Sequence, residues 1–143
     1  MNLKIYSDGG ARGNPGHAGI GFLIFEGSSL VFAYQKYIGQ TTNNVAEYSA
    51  VYEALNYLNL QQKNTQNISL YLDSELVVKQ LSGIYKIKKP HLIVLCQKVQ
   101  QLIFQLQKQG LKKISFYHIP REENKQADYL VNQAIDSFLN FNQ

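Results

Sequence analysis

The spacing of the apolar residues changes partway along this chain, and that change limits the folds it can adopt. Residues 3–8 alternate between polar and apolar side chains, and residues 19–26 and 30–37 are rich in Ile, Phe, Leu, Val and Tyr. Both patterns are typical of β-strands. The link Glu26-Gly27-Ser28-Ser29 predicts a hairpin. Apolar residues recur at helical spacing from residue 44 onward, so the segment before it predicts an antiparallel three-stranded meander.

Helices and strands alternate in the rest of the chain. The predicted elements are a helix over 44–60, a strand over 67–73, a short helix over 75–82, a helix from Pro90 to Gly110, a strand over 112–119 and a helix over 124–139. Residues 9–16 are rich in glycine and predict a loop. Strands joined through helices tend to pair in parallel. We therefore expect an α/β fold with one mixed five-stranded sheet, its first three strands antiparallel, and helices on both faces.

Size and composition limit the class of protein. At 143 residues the chain is expected to form one domain, 1–143, with its own core. No apolar run reaches the roughly 18 residues of a membrane span. The lone Cys96 excludes an internal disulfide or a multi-cysteine zinc site. We expect a cytoplasmic protein without membrane contact that works as a monomer.

The positive charge favours an anionic partner. The formal net charge is +4. Several basic residues gather around Tyr85, namely Lys79, Lys86, Lys88, Lys89 and His91. This basic stretch is interpreted either as a solvated helix end or as a contact to nucleic acid.

Four of the ten acidic residues lie at the ends or borders of apolar segments, namely Asp8, Glu47, Asp73 and Asp128. If the fold brings them together, each carboxylate raises the pKa of the others. Divalent metal ions commonly neutralise such clustered carboxylates by binding to them, and metal sites of this kind catalyse phosphate chemistry. The four acids therefore predict a metal site for phosphate chemistry.

Each acid also has a purely structural interpretation. Asp8 precedes a glycine, as in many turns, and Glu47 stands at capping-box spacing from Asn44. Asp73 can cap the helix that follows it, and Asp128 suits the positive end of a helix dipole. A shared site explains all four at once. It also explains the neutral side chains near them, which suit phosphate oxygens and sugar hydroxyls: Asn14, Thr42, Asn43, Asn44, Ser74 and Asn124.

Four segments carry the acids: Tyr-Ser-Asp-Gly-Gly-Ala-Arg-Gly-Asn-Pro-Gly (6–16), Thr-Thr-Asn-Asn-Val-Ala-Glu (41–47), Leu-Tyr-Leu-Asp-Ser (70–74) and Arg-Glu-Glu-Asn-Lys-Gln-Ala-Asp (121–128). The order and spacing of these four segments resemble those of the ribonuclease H type 1 family. The resemblance implies a ribonuclease H-like fold and endonucleolytic cleavage of the RNA strand of RNA–DNA hybrids, leaving 5′-phosphate and 3′-hydroxyl ends. It implies two Mg²⁺ or Mn²⁺ ions as cofactors. It assigns catalysis and metal binding to Asp8, Glu47, Asp73 and Asp128, with Asp8 bridging both ions.

The resemblance also implies where the hybrid binds. Substrate contacts are expected from Gly9, Gly10, Ala11, Asn14, Thr42, Asn43, Asn44, Ser74, Arg121 and Asn124. Among these, Thr42 would hold a DNA phosphate, and Arg121 would contact a phosphate or an acid. The 2′-hydroxyl is the chemical group by which such a site selects the strand that it cuts. His118 is either a group that assists product release or a strand-end histidine.

The linker between two predicted helices departs from many family members. Those members carry a basic protrusion there, whereas here residues 82–89 form the whole link and the chain has no Trp. The resemblance is therefore to the compact members, which implies weaker hybrid affinity and a shallower salt dependence. Two alternatives stay open: a non-catalytic module that binds hybrid or duplex, and a nuclease that also cuts double-stranded RNA.

Overall fold

The computed structural model describes residues 1–142. Its elements are β1 (Asn2–Arg12), β2 (Gly16–Glu26), β3 (Ser29–Thr41), α1 (Asn43–Gln61), β4 (Asn67–Leu72), α2 (Glu75–Leu81), α3 (Pro90–Lys108), β5 (Lys113–His118), a 3₁₀ turn (Arg121–Glu123) and α4 (Lys125–Phe141). The predicted order of strands and helices is confirmed. Within the described residues, none of the helices has the length and apolar character needed to span a membrane.

The five strands form one mixed sheet in the order β3-β2-β1-β4-β5. The first three strands are antiparallel, and β4 and β5 run parallel to β1. The pairing of β1 with β4 ends at Tyr6 and Tyr71, whereas β1 stays paired with β2 as far as Arg12 and His17. Strand β1 therefore continues past the end of its parallel neighbour. Crevices beyond the carboxyl ends of strands in α/β sheets are common ligand sites.

Helices cover both faces of the sheet, as predicted. Gly9 and Gly10 are neighbours on β1, so they face opposite sides. A methyl group added at Gly9 would meet the backbone of α1, and one added at Gly10 would lie 3.8 Å from Val131 of α4. The main core lies on the α1 side, where α1 packs on strand residues such as Ile5 and Phe22 and α3 packs against α1.

The prediction of a loop over residues 9–16 is wrong for its first half. Residues 9–12 belong to β1 and pair with β2, from Gly9 opposite Ile20 to Arg12 opposite His17. The turn is confined to residues 13–15. Glycine in the interior of a strand weakens it, because it has no side chain to pack and loses more entropy on folding. Here the cross-strand pairing and the close approach of helices on both faces outweigh the local preference.

Gly9 allows the closest of these helix contacts. A Cβ atom at this position would overlap the backbone of Ala46 and would lie 2.6 Å from the amide nitrogen of Glu47. Such separations are far below van der Waals contact, so any side chain would push α1 away from β1. The absence of a side chain at Gly9 therefore brings Glu47 of α1 against Asp8 of β1.

A row of tyrosines crosses the parallel part of the sheet. Tyr6 stacks on Tyr71 with ring centroids 5.0 Å apart, and Tyr71 stacks on Tyr117 at 5.3 Å. Cross-strand aromatic pairs stabilise neighbouring strands by about 0.5–1 kcal/mol each. The row lies just before Asp8 on β1 and just before Asp73 after β4, so it fixes the register of the two strands that carry these acids.

Candidate active site

Three carboxylates converge where β1 passes the end of β4. Each of Asp8, Glu47 and Asp73 offers an oxygen that lies within 4.8 Å of the oxygens of the other two. Asp8 and Glu47 are each only 6% exposed, and Asp73 is half-buried. The three residues come from β1, from α1 and from the segment after β4, so only the tertiary fold brings them together.

Asp128 stands at the edge of this group. It lies in the first turn of α4, half-buried. Its backbone amide donates to the carbonyl oxygen of Asn124 at 3.1 Å. Its negative charge contributes to raising the pKa of both Asp8 and Asp73. The fourth acid therefore acts electrostatically on Asp8 and Asp73 without belonging to the tight cluster.

The clustered acids hold their protons unusually well. Burial, followed by the charge of Asp73, raises the pKa of Asp8 from 3.8 to about 7. Burial and the charge of Asp8 raise the pKa of Glu47 well above its usual value. Burial also raises the pKa of Asp73, although the nearby positive charge of Arg121 opposes this effect. The cluster therefore carries more negative charge than its surroundings can balance.

These residues fit a divalent metal ion. The Oε2 atom of Glu47 is buried and has no hydrogen-bond partner among residues 1–142. A buried carboxylate oxygen without a partner is costly unless a cation or a proton compensates it. Hard cations such as Mg²⁺ and Mn²⁺ prefer carboxylate oxygens. Asp8, Glu47 and Asp73 thus have the chemistry and the spacing of a metal-ligand set.

The raised pKa values predict how stability depends on pH. Because the pKa of Asp8 is 3.8 when unfolded and about 7 when folded, the folded protein binds more protons in this range. In EDTA, the free energy of unfolding should therefore fall as the pH rises from about 4 to 7. Mn²⁺ should offset that loss, increasingly so at higher pH, because it binds the ionised carboxylates.

Urea titrations at a series of pH values, with EDTA and with Mn²⁺, measure this directly. The variant Asp8→Asn serves as the control, since it should show a flatter pH profile in EDTA. A wild-type stability that increases across this pH range without metal would contradict the raised pKa values.

The acids line a cleft of about 390 Å³. Seven of the expected substrate residues also line it, namely Gly9, Gly10, Ala11, Asn43, Asn44, Ser74 and Arg121. A larger groove of about 1190 Å³ beside α3 is lined by apolar residues, glutamines and Lys98, with no acid. The smaller cleft is therefore the one equipped for metal and phosphate chemistry.

Two asparagines tie the turn after β1 to the start of α1. The Oδ1 atom of Asn43 accepts a hydrogen bond from the amide of Ala11 at 2.8 Å. The Oδ1 atom of Asn14 accepts one from the amide of Asn43 at 3.0 Å. Both bonds use the amide oxygens. The Nδ2 groups of Asn14 and Asn43 are therefore the donors that these residues can offer to a substrate.

The capping-box interpretation of Asn44 and Glu47 is wrong. Thr42 is the N-cap of α1, and its Oγ1 accepts from the amide of Val45 at 3.3 Å. Ser74, and not Asp73, caps α2. The hydroxyl residues thus satisfy the free amides at the helix starts, which leaves the carboxylates of Glu47 and Asp73 available to the cluster.

Asn124 lies behind the acids and is only 2% exposed. Its Nδ2 donates to the carbonyl oxygen of Ser7 at 2.8 Å, and the nearby amide also lowers the pKa of Asp73. The residue was expected to contact substrate, but its burial gives it a structural task. It ties β1 to the start of α4, the helix that carries Asp128.

Two basic side chains lie on the Asp73 side of the site. Arg121, in the 3₁₀ turn, is exposed and lines the cleft. His118 is exposed at the end of β5, outside the cleft lining. The charges of both lower the pKa of Asp73. The structure therefore places both near an acid, with only Arg121 facing the cleft.

Arg12 and Asn132 were not singled out from the sequence, although both line the cleft. Arg12 pairs with Asp136 at 2.6 Å and donates to Asn132. Asp128, Asn132 and Asp136 recur every four residues, a spacing that places them on one face of a helix. That spacing was the available signal, but nothing in the sequence indicates that Arg12 reaches this face.

The sequence model of the RNase H family matches residues 1–136. The chain therefore belongs to the RNase H family. It is 36% identical over 139 residues to the bifunctional protein Rv2228c of Mycobacterium tuberculosis, covering 96% of this chain and 36% of that protein. It is 36% identical over 135 residues to ribonuclease HI of Halobacterium salinarum, covering 94% of this chain and 64% of the relative. The chain thus spans less than two thirds of the length of these curated relatives.

Solved structures confirm the fold. The crystal structure of LC11-RNase H1 in complex with an RNA/DNA hybrid superposes with a TM-score of 0.84 at 42% identity, covering 96% of this chain and 99% of the other. The predicted α/β fold of the ribonuclease H type is correct. RNase H proteins generally need divalent metal ions, in agreement with the acid cluster of this chain.

Proposed function

We propose that this chain is an endonuclease that hydrolyses the RNA strand of RNA–DNA hybrids, leaving 5′-phosphate and 3′-hydroxyl ends. The observation that carries the proposal is the cluster of Asp8, Glu47 and Asp73, whose oxygens lie within 4.8 Å of one another and of which the first two are only 6% exposed. Family membership and the likeness to a protein solved with a hybrid support the same substrate. In this proposal, residues 1–143 act as one catalytic domain.

The metal ligands are Asp8, Glu47, Asp73 and Asp128, and the cofactor is two Mg²⁺ or Mn²⁺ ions. Bound divalent ions supply a water of lowered pKa and neutralise the charge that develops on the phosphate. The protein holds the ligands in place. Glu47 and Asp8 are fixed by burial, and Asp73 is half-buried beside them. A rigid, partly dry ligand set avoids reorganisation during the reaction.

Donors around the cleft recognise the duplex. The Nδ2 groups of Asn14 and Asn43 suit sugar hydroxyls, and the 2′-hydroxyl distinguishes the RNA strand from DNA. Arg121 faces the cleft as a cation for a phosphate. Thr42, Asn44 and Ser74 remain predicted contacts, and His118 remains a predicted aid to product release.

The linker between α2 and α3 supports modest hybrid affinity. Lys86, Lys88 and Lys89 are exposed there, whereas Lys79 is paired with Glu75 at 3.1 Å. This short linker offers these three lysines in place of a larger basic protrusion, so fewer phosphates are neutralised there and the slope of log affinity against log salt is expected to be shallower. The cytoplasmic location and the monomeric state stay predictions.

Cleavage assays with labelled RNA–DNA hybrid, RNA duplex and DNA duplex test the proposal. We expect hybrid cleavage with Mg²⁺ or Mn²⁺ and none in EDTA, with the DNA duplex intact. Cleavage of the RNA duplex would extend the substrate range. Tight hybrid binding without cleavage in either metal would instead identify a non-catalytic binding module and refute the proposal.

A further inference from the structure

A chain of hydrogen bonds leads from the end of β1 to the fourth acid. Arg12 donates from Nη2 to Oδ1 of Asn132 at 3.1 Å and to its backbone oxygen at 3.5 Å. Asn132 donates from Nδ2 to the backbone oxygen of Asp128 at 3.0 Å and to its carboxylate Oδ1 at 3.4 Å. Three side chains from two elements are thus linked in series.

The chemistry of the three groups fixes the direction of this chain. A guanidinium group has donors only, whereas an amide side chain has an acceptor at one end and donors at the other. Arg12 can therefore engage Asn132 only through Oδ1. This contact points the Nδ2 donor toward Asp128, whose backbone and carboxylate oxygens accept it. Both ends of the chain therefore hold the amide in one orientation, and Arg12 adds the contact on the Oδ1 side.

A second contact holds the arginine itself in place. Its Nη1 lies 2.6 Å from a carboxylate oxygen of Asp136, one helical turn beyond Asn132. The guanidinium is therefore bound at two points on α4 while its backbone belongs to β1. Contacts at both terminal nitrogens of the planar guanidinium restrict its orientation.

Asp128 needs such support more than the other acids. Asp8 and Glu47 are held by burial, and Asp73 lies with them in the tight cluster. Asp128 is half-buried and lies outside the tight cluster of the other three. A carboxylate on the exposed side of a cleft keeps one rotamer only if a neighbour donates to it.

We propose that Arg12 and Asn132 are positioning residues that orient Asp128 toward the other three acids. The inference rests on the proposed function, because it assigns Asp128 to the metal-ligand set. Asn132 holds the carboxylate, and Arg12 acts through Asn132 by fixing the orientation of its amide. Neither residue contacts the substrate in this role. A direct contact of Arg12 with a phosphate is the competing role.

The test combines Asn132→Leu, Arg12→Met and the double variant. Leucine matches the shape of asparagine without a donor and adds no charge. The exposed amide Gln133 on the same helix provides the control Gln133→Leu. The first readout is Mn²⁺ affinity of the substrate-free protein by calorimetry, and the second is kcat and KM for hybrid cleavage. Thermal unfolding of each variant reports changes in stability.

We expect Asn132→Leu and Arg12→Met each to weaken Mn²⁺ binding and to lower kcat by roughly 10-fold or more, with KM changed less than about twofold. The double variant should be no worse than Asn132→Leu, because both changes break one chain. Arg12→Lys, which keeps a donor, should recover part of the loss. Gln133→Leu should match the wild type.

Two results would overturn the inference. A higher KM for Arg12→Met, with normal Mn²⁺ affinity, would identify a phosphate contact. Additive losses in the double variant, in proportion to lost thermal stability, would identify a general tie between β1 and α4. A wild type that fails to cleave hybrid while Asn132→Leu still weakens Mn²⁺ binding would refute the proposed function and support the positioning role.

Discussion

Replacing Asp8 by asparagine should lower kcat for hybrid cleavage by about a thousandfold or more and leave the fold intact. Asn keeps the size of the side chain but loses the charge that binds a cation. Asp8 stands at the centre of the proposed ligand set, within 4.8 Å of oxygens from Glu47 and Asp73. Single-turnover cleavage of labelled hybrid, with Mg²⁺ and with Mn²⁺, measures the loss.

The same substitution should stabilise the metal-free protein at high pH. A pKa raised from 3.8 to about 7 corresponds to roughly 4 kcal/mol of destabilisation above pH 7. Because Glu47 shares part of this repulsion, we expect a gain of about 2 kcal/mol in the free energy of unfolding at pH 8 in EDTA. Active-site residues commonly lower the stability of the fold because they are placed for activity.

Glu26→Gln, at the exposed end of β2, is the control for charge removal. It should leave both the rate and the stability near wild-type values. Cleavage by Asp8→Asn at a rate close to that of the wild type would refute the assignment of the site. Normal folding with complete loss of cleavage would support it, since the two measurements separate chemistry from structure.

Replacing Gly9 by alanine should lower the free energy of unfolding by about 3 kcal/mol or more. The added methyl group would overlap the backbone of Ala46 and approach the amide of Glu47 to 2.6 Å. Backbone atoms in a helix cannot move aside as a flexible side chain can, so α1 would have to shift. A loss of this size is a large part of the stability of a typical domain.

Gly10→Ala is the matched control, because its methyl group would lie 3.8 Å from Val131, an ordinary contact. We expect it to change stability by less than about 1 kcal/mol. Any increase in KM for hybrid would then report the predicted substrate contact at Gly10. Equal stability of the two variants in urea titrations would show that the close approach of α1 is not needed.

The four acids show which part of the candidate site can be predicted from the sequence. Each of the four has a local structural interpretation, and their shared polar surroundings still predicted a common site. The structure brings three of them together but leaves Asp128 at the edge, held through Asn132. That arrangement depends on the angle between α4 and β1, which no local pattern encodes.

Local preferences failed where several elements meet. Glycine-rich residues 9–12 predicted a loop, yet pairing with β2 makes them a strand. The spacing of Asn44 and Glu47 predicted a capping box, yet Thr42 caps the helix. At residues 9–12 the tertiary contacts outweigh the local cost of glycine, about 1 kcal/mol. At α1 one local cap replaces another, because the hydroxyl of Thr42 accepts from the amide of Val45.

The sequence by itself determined the order of strands and helices, the mixed sheet and the four candidate acids, because periodic burial and motif spacing are local properties of the chain. The tertiary structure alone decided which acids share a cluster, which asparagines face inward and how Arg12 reaches Asp128. Those features depend on distances between segments far apart in the chain. They are fixed by close packing of helices on the sheet, above all at Gly9, where the absence of a side chain sets how near Glu47 comes to Asp8.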